Sequence, residues 1–317
     1  MVHKIFAICI MIAACVWSQK VVDSMDLGDN TMDWRSFVTD EPAIAFAQNA
    51  KMLWYATASG AGAYEIKTNK KILITSLGKF STAGVADIAA EQSGGIWLGS
   101  QEGIAYTKDG RKFTNYTKKD GLVSNAITRL HVSSDGTLWV GTKKGISSHK
   151  YREWKAYTKA EGVCGENIRD ISSSKNGTVY FGTNAGVAVY RGGQWSKYDK
   201  TSGMTSNDVK ALAYDDRKST LWVACGETGI NTYDGKEWED FMDVQDEIAC
   251  IMADTQSRIW VGSSNGIIKY NGFEWVYDQA KMPFPAALCN RMYRDSRGNL
   301  WFAIDTGVML LDNPYPF

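Results

Sequence analysis

Histidine is nearly absent from this chain of 317 residues. Only His3, His131 and His149 occur, and the first falls in the apolar opening stretch, so neither a His-rich metal centre nor a Ser-His-Asp machine is expected. Net charge is absent as well: 35 Lys and Arg balance 35 Asp and Glu, with no long run of one sign. That removes the electrostatic case for a nucleic-acid partner or a polybasic membrane contact. The few cysteines never fall in a Cys-x-x-Cys pair, so no metal is expected, and no Gly-rich phosphate loop is present. Beyond the opening residues no stretch is apolar and long enough to cross a bilayer. No cofactor is implied.

What the chain does have is a repeat. An aliphatic–aromatic pair recurs as Leu53-Trp54, Ile96-Trp97, Leu138-Trp139, Val179-Tyr180, Leu221-Trp222, Ile259-Trp260 and Leu300-Trp301, at a spacing of about 41 residues. Six copies lead into Gly-Ile or Gly-Val, at Gly103, Gly145, Gly186, Gly229, Gly266 and Gly307. The third copy shows the unit: strand-like composition over residues 125–132, Asp135-Gly136 as a tight turn, a second strand into Thr142, a turn at Gly145, then a fourth strand around Trp154. Gly192-Gly193, Asp234-Gly235 and Asn271-Gly272 mark the last turn elsewhere. Each unit reads as a four-stranded antiparallel meander. Such a sheet cannot hide both faces alone, and radial stacking answers that problem, so the expected fold is an all-β, seven-bladed β-propeller over residues 34–317 with tryptophans between blades. The seventh unit runs into Pro314 and lacks an outer strand, whereas Trp34 to Phe37 has the spacing of one. The expectation is that residues 34–38 complete the last blade and close the ring.

The opening differs. Lys4 precedes an apolar run over residues 5–14 that suits a signal peptide of residues 1–18, followed by a tether of residues 19–33. Ile12-Ala13-Ala14-Cys15 alternatively fits a lipobox ending at Ala14, with lipid on Cys15. Either reading gives an exported protein, periplasmic or anchored at a bacterial envelope. Four further cysteines, Cys164, Cys225, Cys250 and Cys289, are open to two readings. They are small buried hydrophobes, as the core positions of Cys225 and Cys289 favour, or they form bridges in an oxidising compartment.

The segments Gly121 to Ile127, Asp135 to Thr142, Gly145-Ile146 and Trp154 to Thr158 together resemble the two-component regulator propeller repeat, which recurs around Gly203 to Val209, Asn176 to Thr183 and Arg297 to Trp301. The likeness spans residues 34–311. Departures occur in the irregular first unit and at Ala224 and Ala303, which replace the motif glycine. The resemblance implies a periplasmic sensor-type propeller of the kind that detects glycans, here as a recognition module, with the signalling output not carried over. The plan is also similar to that of streptogramin lyase, at fold level only.

Function in repeat folds concentrates on loops, and in propellers at the mouth of the central channel. Two residues after each inner-strand aliphatic stand Asp87, Arg129, Asp170, Ala211, Cys250 and Arg291. Strand entries add Asn125, Glu166, Asn167, Asn207, Asp246 and Glu247, and the turns between second and third strands add Lys143, Lys144, Asn184, Glu227, Asn265 and Asp305. These amides and charges suit sugar hydroxyls or peptide groups, and the same set reads equally as ion pairs lining a wet channel. His131 is expected to be a structural strand residue and His149 a solvated one. The loop 279–285, with Met282 and Phe284 between prolines, is the least repeat-like connection. The leading expectation is a non-enzymatic propeller binding a glycan, peptide or envelope protein. The alternatives are a polysaccharide or small-molecule lyase using Arg129, Arg291, Asp170 and Glu166, and an assembly or secretion scaffold.

Overall fold

The computed structural model describes residues 33–226, 229–242, 247–264, 266–276, 289–295 and 297–312. The opening residues with Cys15, the loop 279–285, Asp246, Glu227 and Asn265 lie outside the described residues. Seven four-stranded antiparallel sheets follow one another along the chain and around a ring, so the architecture is the expected seven-bladed propeller. Their innermost strands are Ala45–Gln48, Asp87–Ala90, Ile127–Val132, Ile168–Ser173, Val209–Asp215, Ile248–Ala253 and Cys289–Arg294.

Every blade buries both of its faces on neighbours. In the third, the strand Leu138–Thr142 is buried along its whole length, and Trp139 packs with Ile168, Ile171 and Phe181 of the fourth. Trp97 does the same against Ile127 and Leu130 of the third. Burying an indole removes about 150–250 Å² from water, which makes these rings the main apolar filling between sheets. The indole N–H still needs an acceptor, and in four blades the residue closing the first hairpin supplies it: Glu91 to Trp97 at 2.8 Å, Ser133 to Trp139 at 3.2 Å, Asp254 to Trp260 at 3.0 Å and Asp295 to Trp301 at 3.2 Å, whereas those of Trp54 and Trp222 are buried without a hydrogen-bond partner.

The motif glycines exist for close approach. A Cβ on Gly141 would lie 2.6 Å from Ile168 Cγ2 of the next blade, and one on Gly182 would lie 2.7 Å from Val209 Cγ1. The last blade has Ala303 there, in the same buried cluster as Ala43, so the added methyl meets a small neighbour instead of an isoleucine.

Closure uses the N-terminal strand. Asp33–Val38 pairs antiparallel with Gly307–Asp312 from Asp33 opposite Asp312 to Val38 opposite Gly307, completing the last sheet. Phe37 stacks on Trp301 with ring centres 5.7 Å apart. The first and last blades are also tied by Asn290 donating to the Ala43 carbonyl at 3.0 Å and Gln48 donating to Asp295 at 2.7 Å.

Candidate functional site

The site is built by a local irregularity that recurs. In blades three to seven the pairing of the innermost strand slips at one place, between Ile127 and Arg129, Ile168 and Asp170, Val209 and Ala211, Ile248 and Cys250, and Cys289 and Arg291. Such a bulge bends the strand and re-aims the side chain after it. The skipped residue serves the seam: Thr128 Oγ1 donates to the Ile168 carbonyl at 2.6 Å, and Arg169 Nη1 donates to the Val209 carbonyl at 3.3 Å. In the third, fourth and seventh blades the residue following the slip reaches into the hub.

Three of those residues, Arg129, Asp170 and Arg291, meet there with Asp87, which holds the same place on the regularly paired second blade. Arg291 Nη2 lies 3.0 Å from Asp87 Oδ2 and its Nη1 lies 3.2 Å from Asp170 Oδ1, so one guanidinium from the last blade joins carboxylates of the second and fourth. Both carboxylates are buried and hold the neighbouring inner strand as well. Asp87 Oδ2 accepts Leu130 N–H at 2.9 Å, and Asp170 Oδ2 accepts Leu212 N–H at 3.0 Å. Burial works against the charge on Arg291, but Asp87 and Asp170 more than offset it and the guanidinium titrates above its ordinary value. Arg129 stands beside this group with Nε 3.5 Å from Asp170 Oδ1. Its Nη1 donates to the Thr128 carbonyl at 3.1 Å, while Nε is buried without a hydrogen-bond partner.

His131, two residues further along, has Nε2 2.8 Å from Ser173 Oγ. Burial first, then the positive charge of Arg291, push its pKa down to about 4, so the ring is neutral at physiological pH. The hub therefore holds two cations and two anions. Its acids are occupied by backbone N–H groups and arginine, and what remains uncommitted is guanidinium donor capacity.

Around this centre the turns meet the strand entries of the next blade, since Gly145 N–H donates to the Glu166 carbonyl at 2.8 Å and Gly186 N–H to the Asn207 carbonyl at 2.7 Å. Gly145 holds φ +127, and a Cβ there would strike the Tyr157 carbonyl oxygen at 2.5 Å. Lys143, Asn184, Glu166, Asn207, Glu247 and Asp305 are all exposed. Glu166 pairs loosely with Lys159 at 3.9 Å. Asn207 Oδ1 is engaged locally, accepting Lys200 N–H at 2.7 Å, as Asn125 Oδ1 does from Lys118 N–H at 2.8 Å. Those amides brace single-turn helices at 118–120 and 200–202, closed by capping boxes at Thr117 with Asp120 and at Asp199 with Ser202. The Thr-x-x-Asp pattern followed by glycine was the signal for the first of them.

His149 departs from expectation. It is packed between Trp97 and Trp154, with ring centres 5.3 and 4.6 Å away, because its strand faces the seam between the second and third blades. Cys225, Cys250 and Cys289 are buried and Cys164 is half-buried, and none of the four is in a disulfide. Among the described residues no group of three or more His, Cys, Asp and Glu is placed to hold a metal, and no helix is long and apolar enough to cross a membrane.

Comparison with known proteins gives the repeat its family. The model described as two component regulator propeller matches residues 121–144, and the chain carries that repeat. No curated protein matches it in sequence. Among solved structures it is similar to the extracellular domain of a hybrid two component system from B. thetaiotaomicron, with 19% identity and a TM-score of 0.70, covering 90% of this chain and 41% of that one. It is also similar to virginiamycin B lyase from Staphylococcus aureus, at 12% identity and TM-score 0.67, covering 88% and 98%. YCF48 bound to D1 peptide aligns at 14% identity and TM-score 0.67, covering 91% and 98%. The chain spans about two fifths of the length of the extracellular domains it matches.

Proposed function

We propose, from the premise that this is a propeller built of two component regulator repeats, that the chain is an exported, sensor-like recognition module that binds a glycan, peptide or envelope protein at the mouth of its hub. The observation that carries this is the placement of Arg129 and Arg291 together at the centre, brought there by five matching bulges in a ring whose packing positions otherwise repeat. A bulge at one place in successive blades, followed by residues as different as Arg129, Asp170 and Ala211, reads as a scaffold that keeps its frame and varies its centre.

The chemistry points to acceptor-rich ligands. Asp87 and Asp170 are locked as structural anions, so the donors left over belong to arginine and to the exposed Lys143, Asn184 and Asn207 at the rim, which suit hydroxyl, carboxylate or peptide carbonyl oxygens. The sensor domains of similar fold are extracellular by description, and YCF48 of similar fold is described with a bound peptide. The first accords with a place outside the cytoplasm and the second with a binding role. Residues 1–18 serve as the export signal in this reading, with Cys15 as the lipid anchor if the lipobox is used.

A glycan array and an envelope pull-down, run with wild type and with the Arg129→Ala/Arg291→Ala double variant checked for folding by circular dichroism, test the mouth. Loss of captured ligand by at least tenfold is expected, and undiminished capture moves the site elsewhere. Turnover of a captured substrate would make the protein a lyase instead. For the anchor, labelling with a palmitate analogue is expected to vanish in Cys15→Ser.

A further inference from the structure

The sixth and seventh blades differ from the rest at the seam where their inner strands enter. At three other seams the first residue of the next inner strand presses on the motif glycine of the blade before: Ile127 on Gly99, Ile168 on Gly141 and Val209 on Gly182. Here that residue is Cys289, and a Cβ built on Gly262 would lie 3.0 Å from Cys289 Cβ. The same point is 2.7 Å from Cys250 Sγ, because Cys250 follows the bulge of the sixth blade and turns toward the seam. Cys250 Sγ approaches the Cys289 carbonyl oxygen at 3.3 Å. Two cysteines 39 positions apart in sequence thus converge on one glycine from adjacent sheets, the Cys250 thiol from one side and the Cys289 Cβ from the other, with no side chain on Gly262 to separate them.

We propose that Cys250 and Cys289 are a redox pair that closes into a disulfide across the seam between the sixth and seventh blades. The oxidant is a low-molecular-weight disulfide such as oxidised glutathione. Cys250, which keeps a sliver of exposure where Cys289 has none, loses its proton and attacks one glutathione sulfur, forming a mixed disulfide and expelling one glutathione thiolate. Cys289 then loses its proton and attacks Cys250 Sγ, forming the protein disulfide and expelling the second thiolate. The two protons end on the two glutathiones and two electrons leave the protein.

The bond matters because of what adjoins it. Cys289 stands two residues before Arg291, and Cys250 occupies in its blade the place that Asp87, Arg129, Asp170 and Arg291 occupy in theirs. The cross-link would therefore fix the strand that carries the hub arginine. Burial, and then contact with Cys250, hold the Cys289 thiol well above its ordinary pKa, which keeps the reduced pair quiet toward casual oxidants until the seam opens. In the cell this switch rests on the export reading, since an exported chain meets an oxidising compartment; the bond itself does not.

The test uses purified protein, first fully reduced, then equilibrated with excess oxidised glutathione and trapped with N-ethylmaleimide. Peptide mapping without reductant is expected to find the Cys250 and Cys289 peptides joined, lighter together by two hydrogens, with Cys225 still unbridged. The oxidised form is expected to melt several degrees above the reduced one, and Cys250→Ala, a small change at a buried site, is expected to erase that difference while keeping the reduced melting profile. Both thiols alkylated while half-buried Cys164 carries glutathione would overturn the proposal. A bridge to Cys164 or Cys225 instead, or equal melting of the bridged and reduced forms, would do the same. None of these outcomes depends on whether a ligand binds at the hub.

Discussion

Arg291 Nη1 lies 3.2 Å from Asp170 Oδ1, although 121 residues and three blade seams separate them along the chain. With Asp87 on its other nitrogen, the guanidinium makes the hub a tie between the last blade and two others. Removing it leaves buried Asp87 without a cation and Asp170 with Arg129 alone, and breaking a buried pair costs about 3–5 kcal/mol. Arg291→Met is therefore expected to lower the urea midpoint substantially, and Asp170→Asn in the same chain to recover part of the loss. Additive losses in that cycle would mean the pair is not coupled.

Acid should weaken the fold through His131. Its pKa is about 4 in the fold against 6.5 for an ordinary imidazole, so between those values the unfolded chain binds more protons and stability falls as pH is lowered from about 6.5 to about 4. The group contributes up to about 3 kcal/mol to that loss at the converted rate per pKa unit, and nothing to the slope above neutrality. His131→Gln, which can still bond Ser173, is expected to flatten the dependence of the urea midpoint on pH. An unchanged dependence would assign the acid loss to other groups.

Deleting residues 33–38 removes six register pairs and the Phe37 ring stacked on Trp301, and exposes a raw strand at the seam. The expected result is loss of one cooperative melting transition, read by circular dichroism. A normal transition in the truncated chain would leave the closing strand without a structural task.

Trp139→Ala empties the space between the third and fourth blades and frees Ser133 Oγ of its indole donor. A loss on the order of 3–5 kcal/mol is expected in equilibrium unfolding. A loss well below 1 kcal/mol would contradict the burial described here.

The ring was legible in the sequence because its signals are local and repeated. An aliphatic–aromatic pair and a turn glycine return in each unit, and the incomplete last unit together with Trp34 to Phe37 shows which strand is missing. The hub was legible only as a set of positions. Offset counting found Asp87, Arg129, Asp170 and Arg291, but that Arg291 reaches both acids depends on bulges, which leave no mark in composition. Asn207 shows the opposite case: an amide suited to a ligand is engaged by Lys200 N–H seven residues earlier, a partner that only the capped turn brings near. His149 was misread because alternation along a strand says which face a residue takes but not whether that face meets water or Trp97. The pairing of Cys250 with Cys289 is likewise a property of the seam and not of either segment.

The pairing of Arg35 with Leu310 also sets an order of events. The strand Asp33–Val38 has no partner until Gly307–Asp312 has been made, so the circle stays broken, with an apolar edge on each side of the gap, until that hairpin arrives. Contacts of such long sequence separation are slow to form and leave unfinished chains prone to associate. For a ring of this build, the arrival of Gly307–Asp312, and not the forming of any one earlier sheet, is the event that commits it to its native state.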